Sequence, residues 1–398
     1  MNPINTLYCG DNLEIMREYI PDECADLIYI DPPFFSKRHY AVIWGDEAER
    51  RSFEDTWEGG IESYIGFMEV RLLELRRILK HDGAIFVHCD WHASHRIRTL
   101  LDKIFGENRF LNEIIWYYRG GGVSKYYFGR RHDNIYFYAK SDEWFFNPDG
   151  ARLPYAVATV ERFSHHIGNV RGAKDYGEQS LHPEGKHPDD VWELQPIAPS
   201  AKERLGYPTQ KPEKLLERII LSASREGDVI LDAFCGCGTT LAVAQKTNRR
   251  WIGIDISYTA IELVKERLGK LGVSSPIIGM PTTVADALKL QPFDFQTWVL
   301  KKLHAYASPR KVGDMGIDGF TYFIQFPIQI KKSEQIGRNI LDNFHSAILR
   351  QGKKKGFIIG LSFGMGAIKE AHRLKNSEDI EIILVTLQEV MNDYRIEE

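Results

Sequence analysis

The residues best placed to do chemistry are two acids, each at the end of an apolar run. Asp31 closes Leu27-Ile-Tyr-Ile30 and is followed at once by Pro32-Pro33-Phe34. Neither proline can donate to a sheet ladder, and each biases its predecessor away from the helical region. The tetrad reads as a stiff turn that holds a carboxylate, free carbonyls and an aromatic face together at one sheet edge. Open α/β sheets place ligands at such edges. The plainer reading is a strand that stops at a proline turn, with Asp31 as a cap. The second acid, Asp255, ends the run Trp251-Ile-Gly-Ile and lies 23 residues beyond Asp232. Asp232 opens the loop Asp232-Ala-Phe-Cys-Gly-Cys-Gly238 between a strand and a helix. That spacing suits an acid binding ribose hydroxyls in a nucleoside site. The loop has a Gly-x-Gly pair and no third glycine, so it suits close approach to an uncharged nucleoside better than a phosphate cradle. Thr239 or Thr240 is expected to cap the helix that follows.

Strands and helices must position these acids. Thr6–Gly10 reads as a short strand and Leu13–Tyr19 as a helix; Asp11 between them either reaches a ligand or caps that helix. Residues 36–60 carry no strong period and read as a mobile loop over the site. Tyr64–Leu79 has helical spacing, Ala84–Cys89 is an apolar strand ending at Asp90, Arg96–Phe105 is a helix, and Leu111–Tyr118 is strand-like. This alternation argues for a doubly wound, mostly parallel sheet. Residues 145–205 show no clear period and mix basic with aromatic side chains, which suits a nucleic-acid surface but equally a solvated insertion. Glu213–Ser224 reads as a helix with Pro212 at its first position.

A chain of 398 residues predicts two domains, and its 43% hydrophobic content suffices for ordinary cores. The N-terminus does not read as a secretory leader, no run is apolar enough to span a bilayer, and five cysteines suit a reducing cytoplasm. Cys235 and Cys237 have no second Cys or His pair at zinc spacing nearby. With a net charge of −4, any DNA-binding surface must be local.

Together, the Asp31-Pro-Pro-Phe34 tetrad and the 232–238 loop resemble those of amino-group DNA methyltransferases dependent on S-adenosylmethionine. Tyr207-Pro-Thr-Gln-Lys-Pro212 and Arg131-His-Asp-Asn-Ile-Tyr-Phe-Tyr138 match further motifs, and the tetrad precedes the cofactor loop, the order of the β class. The resemblance covers roughly residues 5–270. It implies a Rossmann-like doubly wound sheet over about 1–275, with a cofactor half at about 206–270 and a target-recognition insertion at about 141–205. It further implies that Asp31 and the Pro32 carbonyl accept hydrogens from the exocyclic amine of a flipped base, with Pro33 stiffening the turn and Phe34 stacking on the base. Asp232, Phe234, Gly236, Gly238 and Thr239 would line the cofactor pocket, and Asp255 would hold the ribose hydroxyls. Asp11 matches a position near the adenine; Thr209, Gln210 and Lys211 match positions near the methionine end. Asp at the first tetrad position resembles the adenine-N6 enzymes, with cytosine-N4 methylation as the alternative. Phe34 stands where Tyr or Trp is commoner. The implied partner is double-stranded DNA, joined by a cognate restriction endonuclease or a second protomer.

Residues 285–398 read as a smaller α/β unit that resembles the Mrr-like branch of the PD-(D/E)xK nucleases, through Gly316-Ile-Asp318-Gly and Gln329-x-Lys331. In such a site Asp318 would bind Mg²⁺ beside Gln329, and Lys331 would polarise the attacking water or phosphate. Gln296 stands where many relatives carry a metal-binding Glu, and Asp314 is a second candidate carboxylate. Cleavage of DNA, binding of DNA without cleavage, and bracing of the fold are the three readings of this tail.

Overall fold

The computed structural model describes residues 2–396 apart from 36–38, 45–47, 55–58, 121–124, 164–167, 172–173, 179, 208 and 309–315. The chain opens with β1 (Thr6–Cys9), α1 (Asn12–Tyr19) and β2 (Ala25–Ile30). An antiparallel hairpin, β3 (His39–Trp44) and β4 (Ala48–Glu54), stands where the sequence reads as an irregular loop. Then come α2 (Gly60–Ile78), β5 (Leu79–Cys89), α3 (Ser94–Phe105), β6 (Phe110–Tyr117) and β7 (His132–Ala139). The aperiodic 145–205 region holds α4 (Val157–Phe163), a second hairpin of β8 (Gly168–Arg171) and β9 (Lys174–Glu178), and β10 (Val191–Glu193). The chain continues with α5 (Glu213–Ala223), β11 (Val229–Asp232), α6 (Thr239–Lys246), β12 (Arg250–Asp255), α7 (Tyr258–Gly269) and β13 (Ile277–Ile278).

Nine of these strands form one sheet in the order β10-β6-β7-β5-β2-β11-β12-β1-β13. All neighbours are parallel except β7, which runs antiparallel to both β5 and β6. Two expected boundaries move. β10, inside the expected 141–205 insertion, joins this sheet beside β6, and β13 extends the sheet past residue 275. Both strands are two or three residues long, too short for a period to register.

β2 is apolar throughout because both of its faces are covered. Leu27 and Tyr29 join the core under α5, α6 and α7, whereas Ile28 and Ile30 join the core under α1, α2 and α3. This alternation is the two-residue strand period.

The tail consists of α8 (Val284–Lys289), α9 (Pro292–Lys302), β14 (Ala305–Ala307), β15 (Gly319–Thr321), β16 (Pro327–Ile330), α10 (Arg338–Arg350), β17 (Lys355–Gly360), α11 (Met365–Glu378), β18 (Glu381–Thr386) and α12 (Leu387–Met391). Its five strands form their own sheet in chain order, antiparallel at β14-β15-β16 and parallel at β16-β17-β18. The hydrophobic core is not divided with the sheets. Phe295, Trp298 and Val299 of α9 pack into the same cluster as Val264 and Leu268 of α7.

Candidate active site

β2 and β11 lie side by side, with Ile28 opposite Leu231, and the strand order reverses between them. Asp31 and Asp232 therefore leave adjacent parallel strands at the same edge, the point where such sheets bind ligands. Asp31 uses only one of its oxygens. Oδ2 accepts a hydrogen bond from the Lys211 ammonium, a buried ion pair across 180 residues of chain. Oδ1 is buried and has no hydrogen-bond partner among the described residues. A buried carboxylate oxygen without a donor is costly unless a ligand supplies one.

His88, fully buried at the end of β5, stands behind this oxygen, with Nδ1 3.8 Å from Asp31 Oδ1. That nitrogen also lies 2.8 Å from the Tyr29 hydroxyl, and Nε2 lies 3.3 Å from Asp133 Oδ2. Tyr118 donates its hydroxyl to the other Asp133 oxygen. Burial alone would raise the Asp133 carboxyl, but the contacts with His88 prevail and hold it below the usual range. The Phe34 ring packs 5.5 Å from the His88 ring, and Lys211 Nζ stands 5.1 Å from the Phe34 centroid. An acceptor, a cation and an aromatic face thus converge on one spot.

The glycine loop runs alongside. Gly236 and Gly238 adopt left-handed conformations, and a Cβ on Gly238 would meet Val264 at 2.8 Å, so neither position accepts an ordinary side chain. Asp255 latches this loop: Oδ2 accepts the Gly236 N–H at 2.8 Å, and Oδ1 accepts the Ser257 N–H at 2.9 Å. Each oxygen keeps a second lone pair for a hydroxyl donor. Burial pushes the Asp255 carboxyl up to about 6 and the Asp232 carboxyl up to about 7. Asp232 accepts from the Phe234 N–H and from the Thr240 hydroxyl. Tyr207 stands over the loop, its ring 3.3 Å from where a Gly236 Cβ would be.

The family model for N6/N4 methyltransferases, described as DNA methylase, matches residues 25–266. The chain belongs to this DNA methylase family. Type II methyltransferase M.HpaI of Haemophilus parainfluenzae is 32% identical over 66% of this chain and 73% of its own length. DNA adenine methyltransferase YhdJ of Escherichia coli is 29% identical over 69% of this chain and 85% of its own. Among solved structures, the PvuII cytosine-N4-specific DNA methyltransferase aligns with a TM-score of 0.48 at 16% identity, covering 69% of this chain and 91% of that one.

The sites expected from the methylase's sequence fall into three groups. Asp31, Phe34 and Lys211 come together, as do Asp232, Phe234, Gly236 and Asp255. Lys211 pairs with Asp31, whereas the resemblance placed it near the methionine end of the cofactor. Thr239 and Thr240 do not cap α6: Gly238 is the N-cap residue and makes no side-chain cap. Thr240 is drawn to Asp232, and Thr239 takes a hydrogen bond from the buried Arg267, which also binds the Cys237 carbonyl and Glu213. Pro212 is likewise the N-cap of α5, one position before its expected place. Asp11 does cap α1, and it pairs with Arg71 at 2.6 Å. Arg71 also donates to Asn12, whose amide holds the Ala233 carbonyl of the glycine loop. Gln210 braces its own turn, accepting from the Leu205 N–H and donating to the Glu203 carbonyl, and Thr209 is exposed with φ of 60°.

Sequence reasoning missed His88 because it sits inside an apolar run, and missed Asp294 because it lies outside every motif. Asp294, 2% exposed in the first turn of α9, accepts through Oδ1 from the Ser257 hydroxyl, the Thr259 N–H and the Thr259 hydroxyl. It thereby closes the start of α7, two residues after Asp255.

In the tail, Asp318 has both oxygens engaged, Oδ1 by the Gln296 amide at 2.8 Å and Oδ2 by the Ile330 N–H at 2.6 Å. Gln329 is 3% exposed, and Asp314 lies outside the described residues. An amide N–H donor thus points at the carboxylate where a cation would have to sit. Mg²⁺ prefers several oxygens, usually including one or two carboxylates. Among the described residues, the donor set at Asp318, one engaged carboxylate beside the buried Gln329 Oε1, does not fit it. Among the described residues no cluster of three or more His, Cys, Asp or Glu could hold a metal, and no helix is long and apolar enough to cross a membrane.

Proposed function

We propose that this DNA methylase is a site-specific enzyme that transfers the methyl group of S-adenosylmethionine to the exocyclic N6 amine of adenine in a flipped-out base. The observation that carries the reading is the buried, unpartnered Oδ1 of Asp31, set beside Phe34 and next to the loop held by Asp255. An exocyclic amine is a poor nucleophile because its lone pair is delocalised into the ring. Asp31 Oδ1 and the Pro32 carbonyl accept hydrogen bonds from its two N–H groups, which localises the lone pair, and the one proton that the nitrogen must shed on gaining the methyl group passes to Asp31 Oδ1. Lys211 fixes the carboxylate, and Phe34 holds the plane of the base. The loop at 233–238, with Asp255 for the ribose hydroxyls, provides the cofactor cradle; its glycines leave the room that side chains would fill. When bound, S-adenosylmethionine supplies an electrophilic methyl group and departs as a neutral thioether. The residues therefore work by alignment and electrostatics, with no covalent enzyme intermediate.

Cytosine-N4 methylation by the same residues is the second reading, since its target is also an exocyclic amine. Incubation with unmethylated DNA and S-adenosylmethionine, followed by nucleoside analysis, decides between them. N6-methyladenine is the expected product; N4-methylcytosine alone overturns the base assignment, and no methylated base overturns the function.

The nuclease resemblance of the tail rests on Gly316-Ile-Asp318-Gly and Gln329-x-Lys331 alone. The engaged carboxylate of Asp318 supports an accessory role in place of cleavage. The same incubation with Mg²⁺ is expected to leave the DNA unbroken; breaks that depend on Mg²⁺ and are lost in Asp318→Ala would instead make the chain a restriction–modification enzyme.

A further inference from the structure

The segment between β6 and β7 carries a feature that neither the catalytic nor the cofactor residues use. From Arg119 to His132 the sequence holds four cationic side chains, Arg119, Lys125, Arg130 and Arg131, and no acid, in a chain whose net charge is −4. Inside this basic stretch Tyr126 is 92% exposed and Phe128 is 97% exposed. Tyr127 between them is less exposed, at 58%: the Arg130 guanidinium lies 4.8 Å from its ring centroid and 3.6 Å from that of Trp91. The stack Tyr127–Arg130–Trp91 ties the segment to the end of β5 and leaves its neighbours facing out. Arg119 is held by Glu193 at 2.7 Å.

A phenyl ring this exposed gives up about 2 kcal/mol of burial free energy. Phe128 has no hydroxyl with which to bind water in return. An exposed aromatic side chain rimmed by cations suits an anionic polymer with apolar faces inside it, which is the chemistry of stacked bases. The location agrees. β7 starts at His132, and Asp133 next to it contacts His88, which stands behind Asp31. Phe128 is five residues from Asp133, at most ~17 Å along the chain.

We infer that Phe128 is a wedge that enters the base stack of the target duplex and fills the gap left by the flipped base, with Arg130, Arg131 and Lys125 holding the flanking phosphates. This rests on the methyltransferase reading of the site and adds to it the residue that holds the base out. Taking a base out of the stack costs a few kcal/mol, and an inserted apolar side chain recovers part of that loss.

The test starts from unmethylated phage DNA methylated by the wild-type chain, sequenced to locate the modified base. Two synthetic duplexes carrying that site are then compared, one fully paired and one with an abasic position opposite the target base. Phe128→Ala is expected to lower the methylation rate on the paired duplex by ~10–100-fold and to regain most of it on the abasic duplex, where unpairing is already done. Phe128→Trp is expected to stay close to wild type on both, and the melting temperature and S-adenosylmethionine affinity of both variants to stay unchanged. A Phe128→Ala rate within about twofold of wild type on the paired duplex, or an equal loss on both duplexes, overturns the wedge. A wild-type chain that methylates no DNA overturns the reading of the site itself, and the wedge with it.

Discussion

The pH dependence of stability offers a direct check on the buried acid at the strand crossover. Asp232 is 2% exposed, and burial raises its carboxyl from the ordinary 3.8 to about 7. In the folded chain it therefore stays protonated over a range where the unfolded chain has released its proton. Stability falls with pH wherever the folded state binds more protons, so the contribution of Asp232 is complete below about pH 4 and gone above about pH 7. The full shift corresponds to about 4 kcal/mol, at 1.36 kcal/mol per pKa unit. Integrated from about pH 5 to about pH 8, it amounts to about 2–3 kcal/mol. Asp232→Asn keeps the size of the side chain and an acceptor for the Phe234 N–H while removing the titration. Urea unfolding, followed by circular dichroism at both pH values, gives the stability of each protein. The variant is expected to gain about 2–3 kcal/mol on wild type between the acidic and the basic condition. Other titrating groups, Asp255 included, cancel in that double difference to first order. A wild-type-minus-variant difference that stays constant with pH would refute the claim that Asp232 is held protonated by burial.

Other consequences concern the chemistry. Asp31→Ala is expected to lower methyl transfer by at least ~10³-fold, the scale of losing a preorganised electrostatic contact, while calorimetry finds S-adenosylmethionine still bound; near-normal turnover would sink the catalytic assignment. Asp255→Ala should weaken cofactor affinity by ~10–100-fold, the cost of hydrogen bonds to a charged group, and an unchanged dissociation constant would count against the ribose role. Because burial places the Asp255 carboxyl at about 6, affinity for the cationic cofactor should tighten as pH rises through that value, and less so for the uncharged S-adenosylhomocysteine; equal slopes would contradict this. Asp294→Ala leaves buried donors on Ser257 and Thr259 without their acceptor, a loss of about 2–3 kcal/mol, and should also weaken cofactor binding; Asp294→Asn, which keeps one acceptor oxygen, should recover part of both.

The sequence made both strand-end acids legible because β2 and β12 are buried on two faces and so appear as unbroken apolar runs. Length and proline punctuation then located Asp31. The glycine loop was legible for the same reason, since two left-handed positions need glycine. Pairings across the fold were not legible. Lys211 meets Asp31 through β2 and β11 lying side by side, and no local pattern reports that. His88 looked like part of an apolar strand because its polarity is spent on Tyr29 and Asp133, from two other strands. Thr240 looked like a cap because nothing local announces that Asp232 claims its hydroxyl. The hairpin β3–β4 escaped because a two-stranded ribbon outside the main sheet need not alternate in polarity. The tail read as separate from its own strand pattern, whereas α9 sends Phe295, Trp298 and Asp294 into the first unit.

The position of β11 also sets an order of events during synthesis. β2 pairs with β5 on one side, but its other edge meets β11, so that Ile28 waits for Leu231, and β1 has no partner until β12 and β13 arrive. At ribosomal speeds a gap of about 200 residues lasts roughly 10–40 s. Throughout that time the catalytic half carries an open, apolar strand edge, a template for wrong pairing. The strand that closes the open edge of β2 is also the one that leads into the glycine loop. The nascent chain thus acquires its central hydrogen-bond ladder and its cofactor cradle in a single late step, and a ligand that stabilises the loop would favour completion of the fold.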